Sequence, residues 1–210
     1  MLQGPLFKRF GPQVGYGSNL PVLGKPFRAS FEEIHTRKSA GENLRCWGWL
    51  AEDSAGRGRQ DIFFPDSEGL SITHHVTVIW DPVKGTYQFL EHESGEIQKL
   101  DLAGVMPWGS PGGSQAGSVA SQCPLPAPPP DRLLRKEIPG ERLIEGVLCR
   151  GCIYSNESGQ TMIENWFSDR LFHTVHEKTI DGDVEAVYRL FNVELEEPDA
   201  SVFVLPNPAG

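Results

Sequence analysis

Apolar and polar residues alternate with a period of two through most of this chain, and no long segment carries the 3.6-residue period of an amphipathic helix. Phe27, Ala29 and Phe31 open such a run after Pro26, and it continues through Ile34 towards Lys38. Leu44 to Ala51 follows, with Trp47 and Trp49 two apart and therefore on one face of a strand. Asp53-Ser-Ala-Gly-Arg57 reads as a turn, and Gln60 to Phe64 as a short third strand closed by Pro65-Asp66. Ile72 to Trp80 is rich in Thr, Val and Ile and stops at Asp81-Pro82. Thr86 to Glu91 and Glu96 to Leu100 return across turns at Lys84-Gly85 and Ser94-Gly95. In the second half, Glu141 to Tyr154 reads as one long strand. Thr161 to Phe167, Leu171 to Thr179 and Val184 to Leu195 follow, across turns at Asn156–Gly159, Ser168-Asp169 and Asp181–Asp183. The one helical signal is a single turn from Asp199 to Phe203, with Asp199 as its cap and Phe203 buried.

Short strands divided by turns predict a mostly β fold: an antiparallel, curved sheet or partial barrel of about nine or ten strands, with little helix. Residues 1–25 are rich in Gly and Pro and read as an extended N-terminal arm. Residues 26–206 form a single β domain, interrupted at 104–130 by a loop that holds Gly112-Gly113, Gly117 and Pro128-Pro129-Pro130, and 207–210 are a tail. That loop is either a linker or a contact surface, since a surface loop absorbs insertions at little entropic cost.

Charge narrows the function classes. The chain has 210 residues, 19 basic and 28 acidic, for a net charge of -9. A nucleic-acid binder normally presents a basic face, so no nucleic-acid partner is expected. Arg132, Arg135 and Lys136 make the densest basic cluster and read as a solvated linker end. No apolar run is long enough for a transmembrane segment, and residues 1–17 lack the apolar core of a secretory signal. Taken alone, that suits a cytoplasmic protein, a numbering that starts after a removed signal, or a misplaced gene start.

Candidate chemistry is sparse. Cys149-Arg-Gly-Cys152 is the one close cysteine pair, so these two are the disulfide or metal candidates. The flanking residues read as strand, which sends positions three apart to opposite faces, unless Gly151 allows a bulge. Zinc would need further ligands from Cys46, Cys123 or a histidine. His74 and His75 are adjacent and face opposite ways on a strand, while His173 and His176 are three apart. A histidine metal site would need convergence in the fold. No Gly-x-Ser-x-Gly elbow, phosphate-binding loop or dinucleotide fingerprint occurs, so no catalytic residue and no cofactor is expected. The aromatic residues say more. Most fall in strand segments, where they form either the core or the wall of an apolar cavity. The cavity candidates are Trp47, Trp49, Trp80, Trp166 and Phe172.

Ile144-Glu-Gly-Val147, Glu164-Asn-Trp-Phe-Ser-Asp-Arg-Leu171, Tyr188-Arg-Leu-Phe-Asn-Val193 and Glu197-Pro-Asp-Ala-Ser-Val-Phe-Val-Leu-Pro206 occur in an order that resembles a family of bacterial secreted or envelope-associated β-rich proteins of unknown function. Asp53-Ser-Ala-Gly-Arg57 and Ile79-Trp-Asp-Pro-Val-Lys-Gly85 match the same pattern in the first half. The closing Asp turn, Phe and Pro also look like the end of lipoprotein-carrier (LolA/LolB-like) domains, which are curved sheets folded over an apolar cavity. The resemblance implies a periplasmic or extracellular location and a non-catalytic binding or carrier-like module whose partner is a lipid, a peptide or a protein. It supplies no catalytic residues. Two alternatives stand beside it: an accessory subunit of a larger complex, and, lower, a Cys-dependent redox or metal enzyme.

Overall fold

The computed structural model describes residues 23–65, 71–82, 84–101 and 133–205. Eleven strands form one antiparallel sheet: β1 (Phe27–Arg37), β2 (Glu42–Glu52), β3 (Gly58–Pro65), β4 (Ile72–Asp81), β5 (Thr86–Glu91), β6 (Glu96–Asp101), β7 (Leu134–Ile144), β8 (Val147–Ser155), β9 (Thr161–Ser168), β10 (His173–Asp181) and β11 (Val184–Glu194). Their order is β6-β5-β4-β3-β2-β1-β11-β10-β9-β8-β7. Each half of the chain is thus a meander, and the halves meet where β1 pairs with β11, with Glu33 opposite Tyr188. The sheet does not close on itself: β6 and β7 are its two edges. The predicted fold class holds, with slightly more strands than expected. The arm, the loop at 104–130 and the tail lie almost entirely outside the described residues.

The extra strand comes from the segment read as one strand from Glu141 to Tyr154. It is a hairpin, because Glu145 (φ 49°) and Gly146 (φ 79°) both have positive φ. Two such residues in succession make the tight turn whose twist matches that of antiparallel strands. The first strand of the hairpin, β7, is mostly exposed, and Pro139-Gly140 breaks its register between Ile138 and Glu141. Exposure, charge and a proline-bearing bulge keep an edge strand from pairing with other chains. The turn at Ala200–Phe203 is a 3-10 helix capped by Asp199, whose side chain accepts from Ser201 N, and Phe203 is buried there as expected.

Phe27 and Phe31 of β1, Leu50 of β2, Ile62 of β3, Val76 and Val78 of β4, and Leu190 of β11 are at most 2 % exposed and form one apolar core. Cross-strand register places Phe31, Leu50, Ile62 and Val76 on the same side of the sheet. Their alternating neighbours therefore face the other way. Trp80 closes this core against Gly58, where a Cβ would lie 1.9 Å from the indole ring.

Candidate functional site

The face opposite the core carries the site. On β2 it presents Trp47 and Trp49, on β3 Arg59, Asp61 and Phe63, and on β4 His75 and Thr77. Trp47 lies opposite Phe63, Trp49 opposite Asp61, and Phe63 opposite His75. Beside them the β1·β11 pairing is interrupted: Arg28 pairs with Glu194 and Ser30 with Phe191, so Ala29 faces both Asn192 and Val193. Asn192 takes a positive φ of 52° to accommodate the extra residue. A bulge of this kind bends the strand and opens the surface beside it. The result is a groove of about 680 Å³, lined by Trp47, Gly48, Trp49 and Phe63 on one side and by Arg28, Ser30, Asn192, Val193 and Glu194 on the other. Its volume lies in the range of small-ligand sites, about 300–1,000 Å³.

Three guanidinium groups stand over its tryptophans: Arg28 and Arg59 at 5.2 and 5.1 Å from the Trp49 ring, and Arg45 at 5.3 Å from Trp47. Two of these cations are already committed. Arg45 pairs with buried Glu32 at 2.5 Å, and Arg59 holds Asp61 through Nε at 2.6 Å and Nη2 at 3.2 Å. Arg28 has no ion-pair partner among the described residues, so it supplies the groove's available positive charge.

The aromatic wall runs into a polar network. Phe63 stacks on His75 with ring centroids 4.3 Å apart, and His75 stacks on His92 at 3.6 Å and 9°. Asp61, 3 % exposed, accepts from Thr77 Oγ1 at 2.6 Å and bonds His75 Nε2 at 3.0 Å. Burial pulls the Asp61 carboxyl up, but the bonds from Arg59, Thr77 and His75 outweigh it and leave it below the usual carboxylate range. The carboxylate can only accept, so the single Thr77 hydroxyl proton goes to Asp61. Thr77 must then accept from His92, whose Nε2 lies 2.8 Å away. Burial, and then the neighbouring His75, lower the pKa of His92. Across β4, His74 lies 3.2 Å from Glu91 and 3.0 Å from Glu93, and Glu93 also accepts the His75 backbone N–H at 2.6 Å.

Among the cavity candidates, Trp47 and Trp49 line the groove. Trp80, 3 % exposed, and Trp166, 7 % exposed, belong to the apolar core, and Phe172 packs edge-on against Phe167 at 5.4 Å. Cys149 and Cys152 are not brought together. Both are buried, Cys149 in the main core and Cys152 in a smaller cluster with Tyr154 and Phe167. Burial pushes the Cys149 thiol up to about 11, the opposite of what a redox thiol needs. Sequence reasoning missed Arg28, Arg59, Asp61 and the convergence of His75 with His92. The alternation of Arg59, Asp61 and Phe63 along one face was the available signal.

No protein family and no curated protein matches this chain. Solved structures do resemble it. A LolA superfamily protein from Nitrosomonas europaea, NE2245, is 7% identical over 89% of this chain and 93% of its own, with a TM-score of 0.39. LprF from Mycobacterium bovis is 12% identical over 89% and 91%, with a TM-score of 0.37. PNGF-II is 10% identical over 87% of this chain, which spans 30% of the PNGF-II chain, with a TM-score of 0.40.

Proposed function

We propose that this chain is a non-catalytic binding module that holds an apolar ligand, an acyl chain or an extended peptide, in the groove beside Trp47 and Trp49, in a carrier-like role in the bacterial envelope. The observation that carries the reading is the groove itself: two tryptophans and a phenylalanine form an aromatic wall, edged by arginines, on the face of the sheet opposite the core. Tryptophan offers a large contact area at low entropic cost, and Arg28 at the rim suits a ligand with a polar or anionic end. The envelope location rests on the resemblance of the sequence motifs.

Native mass spectrometry of the purified chain, followed by titration with a fluorescent fatty acid, tests it. The expected result is bound lipid or peptide and a saturable signal that weakens about tenfold or more in Trp49→Ala, a loss of roughly 1.4 kcal/mol. A bare chain that neither binds the fatty acid nor carries a peptide would remove this reading.

A further inference from the structure

We propose that Asp61, His75 and His92 form a binding site for a divalent transition-metal ion of the zinc class. Each offers one ligand atom within 4.8 Å of the other two, although they come from β3, β4 and the turn after β5. Two imidazoles and one carboxylate are the donor set that Zn²⁺ accepts at three-ligand sites, with a fourth position left to water.

The geometry already focuses on one point. His75 Nε2 reaches Asp61 Oδ1 directly at 3.0 Å, and His92 Nε2 reaches it through Thr77, at 2.8 and 2.6 Å. Two nitrogen ligands of a tetrahedral zinc ion stand roughly 3.3 Å apart, given bond lengths of about 2.0–2.1 Å. The three ligand atoms lie within 4.8 Å of one another, and the two imidazole ring centroids are 3.6 Å apart. Parallel rings must tilt to aim both lone pairs at one ion, and His92 sits on the turn beyond β5, the least constrained of the three positions. On binding, the Nε2 proton of each ring moves to Nδ1, so neither imidazole need become charged. Arg59 grips Asp61 Oδ2 through Nε at 2.6 Å and reaches Oδ1 more loosely through Nη2 at 3.2 Å, which fixes the carboxylate plane beside the histidines, the positioning that a ligand's neighbours normally provide. Glu93, which accepts the His75 backbone N–H at 2.6 Å, places a second carboxylate beside the site and adds negative charge that favours a cation. The bound ion would clip three strands together, and Phe63, stacked on His75, carries the clip to the groove wall.

The test uses the untagged full chain and Co²⁺ and Zn²⁺ alone as probes. One equivalent of Co²⁺ is expected, with visible bands of a low-symmetry four- or five-coordinate site. Zn²⁺ is expected to displace it and to raise the melting temperature. His92→Gln, at a partly exposed position that the fold tolerates, should weaken Co²⁺ binding at least tenfold, as should His75→Gln, while His74→Gln leaves it unchanged. The proposal is overturned if no stoichiometric ion binds, or if a thiolate-to-cobalt charge-transfer band marks a cysteine ligand. It is equally overturned if binding survives His92→Gln and is lost in His74→Gln, which would assign the ion to His74, Glu91 and Glu93. Fatty-acid binding is measured separately, so failure of the groove reading and failure of the metal site are distinguishable.

Discussion

Glu52 ends β2 with 5 % of its surface exposed, and burial, followed by the charge of neighbouring Asp53, pushes its carboxyl up to about 8. Asp53 keeps its own charge in use: it accepts from the backbone N–H groups of Ala55 and Arg57 and pairs with the Arg57 guanidinium at 2.5 Å. Below the ordinary value of 4.5, Glu52 is protonated in folded and unfolded chains alike and costs nothing. Between 4.5 and about 8 the unfolded chain loses that proton and the folded chain keeps it, so stability falls as pH rises and then levels off. Glu52→Gln is therefore expected to raise the melting temperature most at a pH above 8 and little near pH 4.5, with a gain on the order of 5 kcal/mol at most. Paired thermal melts of the two proteins across that range check it, and a pH-independent difference would refute the assignment. Nothing in the sequence marks Glu52, because its neighbours alternate like those of any strand. The same holds for Asp61: its importance comes from Arg59, Thr77 and His75, and only the last two require knowing which strands pair.

Strands were legible at the level of the element because β-branched and aromatic residues fill them and turn residues divide them. β5 lies where its pattern predicts, and β1 and β4 differ from prediction by one residue at an end. The hairpin of β7 and β8 was not legible. Glu145-Gly146 lacks the Asn-Gly or Asp-Gly signature of its turn, and β7 is too exposed to alternate visibly. The bulge opposite Ala29 was equally hidden, since it reflects a mismatch between β1 and β11, and the groove depends on it. Gly48 shows how tightly the groove's floor is built. It sits between Trp47 and Trp49, and a Cβ there would lie 1.8 Å from the Asp61 carbonyl oxygen and 2.9 Å from the Phe31 ring. Backbone cannot yield as a flexible side chain can. Gly48→Ala is expected to cost about 3 kcal/mol or more, at the upper end of overpacking penalties, and to weaken ligand binding along with stability. Denaturant unfolding measures the first effect. A cost below about 1 kcal/mol would mean that β2 and β3 separate more easily than their register implies.

Among the described residues the molecule is two meanders joined by the β1·β11 ladder, with the turn at Ala200–Phe203 adding the Arg59 bond to the Val202 carbonyl across the halves. β6 and β7 are consecutive strands but occupy opposite edges of the sheet, so among the described residues one ladder joins the halves. That ladder is β1 with β11, nine registered pairs, and it is reinforced by Glu32, 4 % exposed. The Glu32 carboxylate takes Arg45 of β2 at 2.5 Å and Arg189 of β11 at 2.6 Å, so one side chain ties both neighbours of β1. The core crosses the seam as well, with Phe31 stacked on Tyr188 at 6.2 Å. Sequence patterning showed two β-rich halves around a Gly/Pro-rich segment but could not show that the halves meet first strand to last, because pairing partners 150 residues apart leave no local trace. The β1·β11 ladder is therefore expected to hold the two halves together once the sheet has formed. A protease site placed within residues 104–130 and cut under native conditions should leave two fragments that co-elute as one species and separate only in denaturant. Glu32→Ala should lower the denaturant midpoint of that nicked complex, by about 1–3 kcal/mol given that its two arginines are more than half exposed at 56% and 58%. Fragments that part on cutting would mean that the β1·β11 seam is too weak to hold the halves, and that the connection itself keeps the sheet whole.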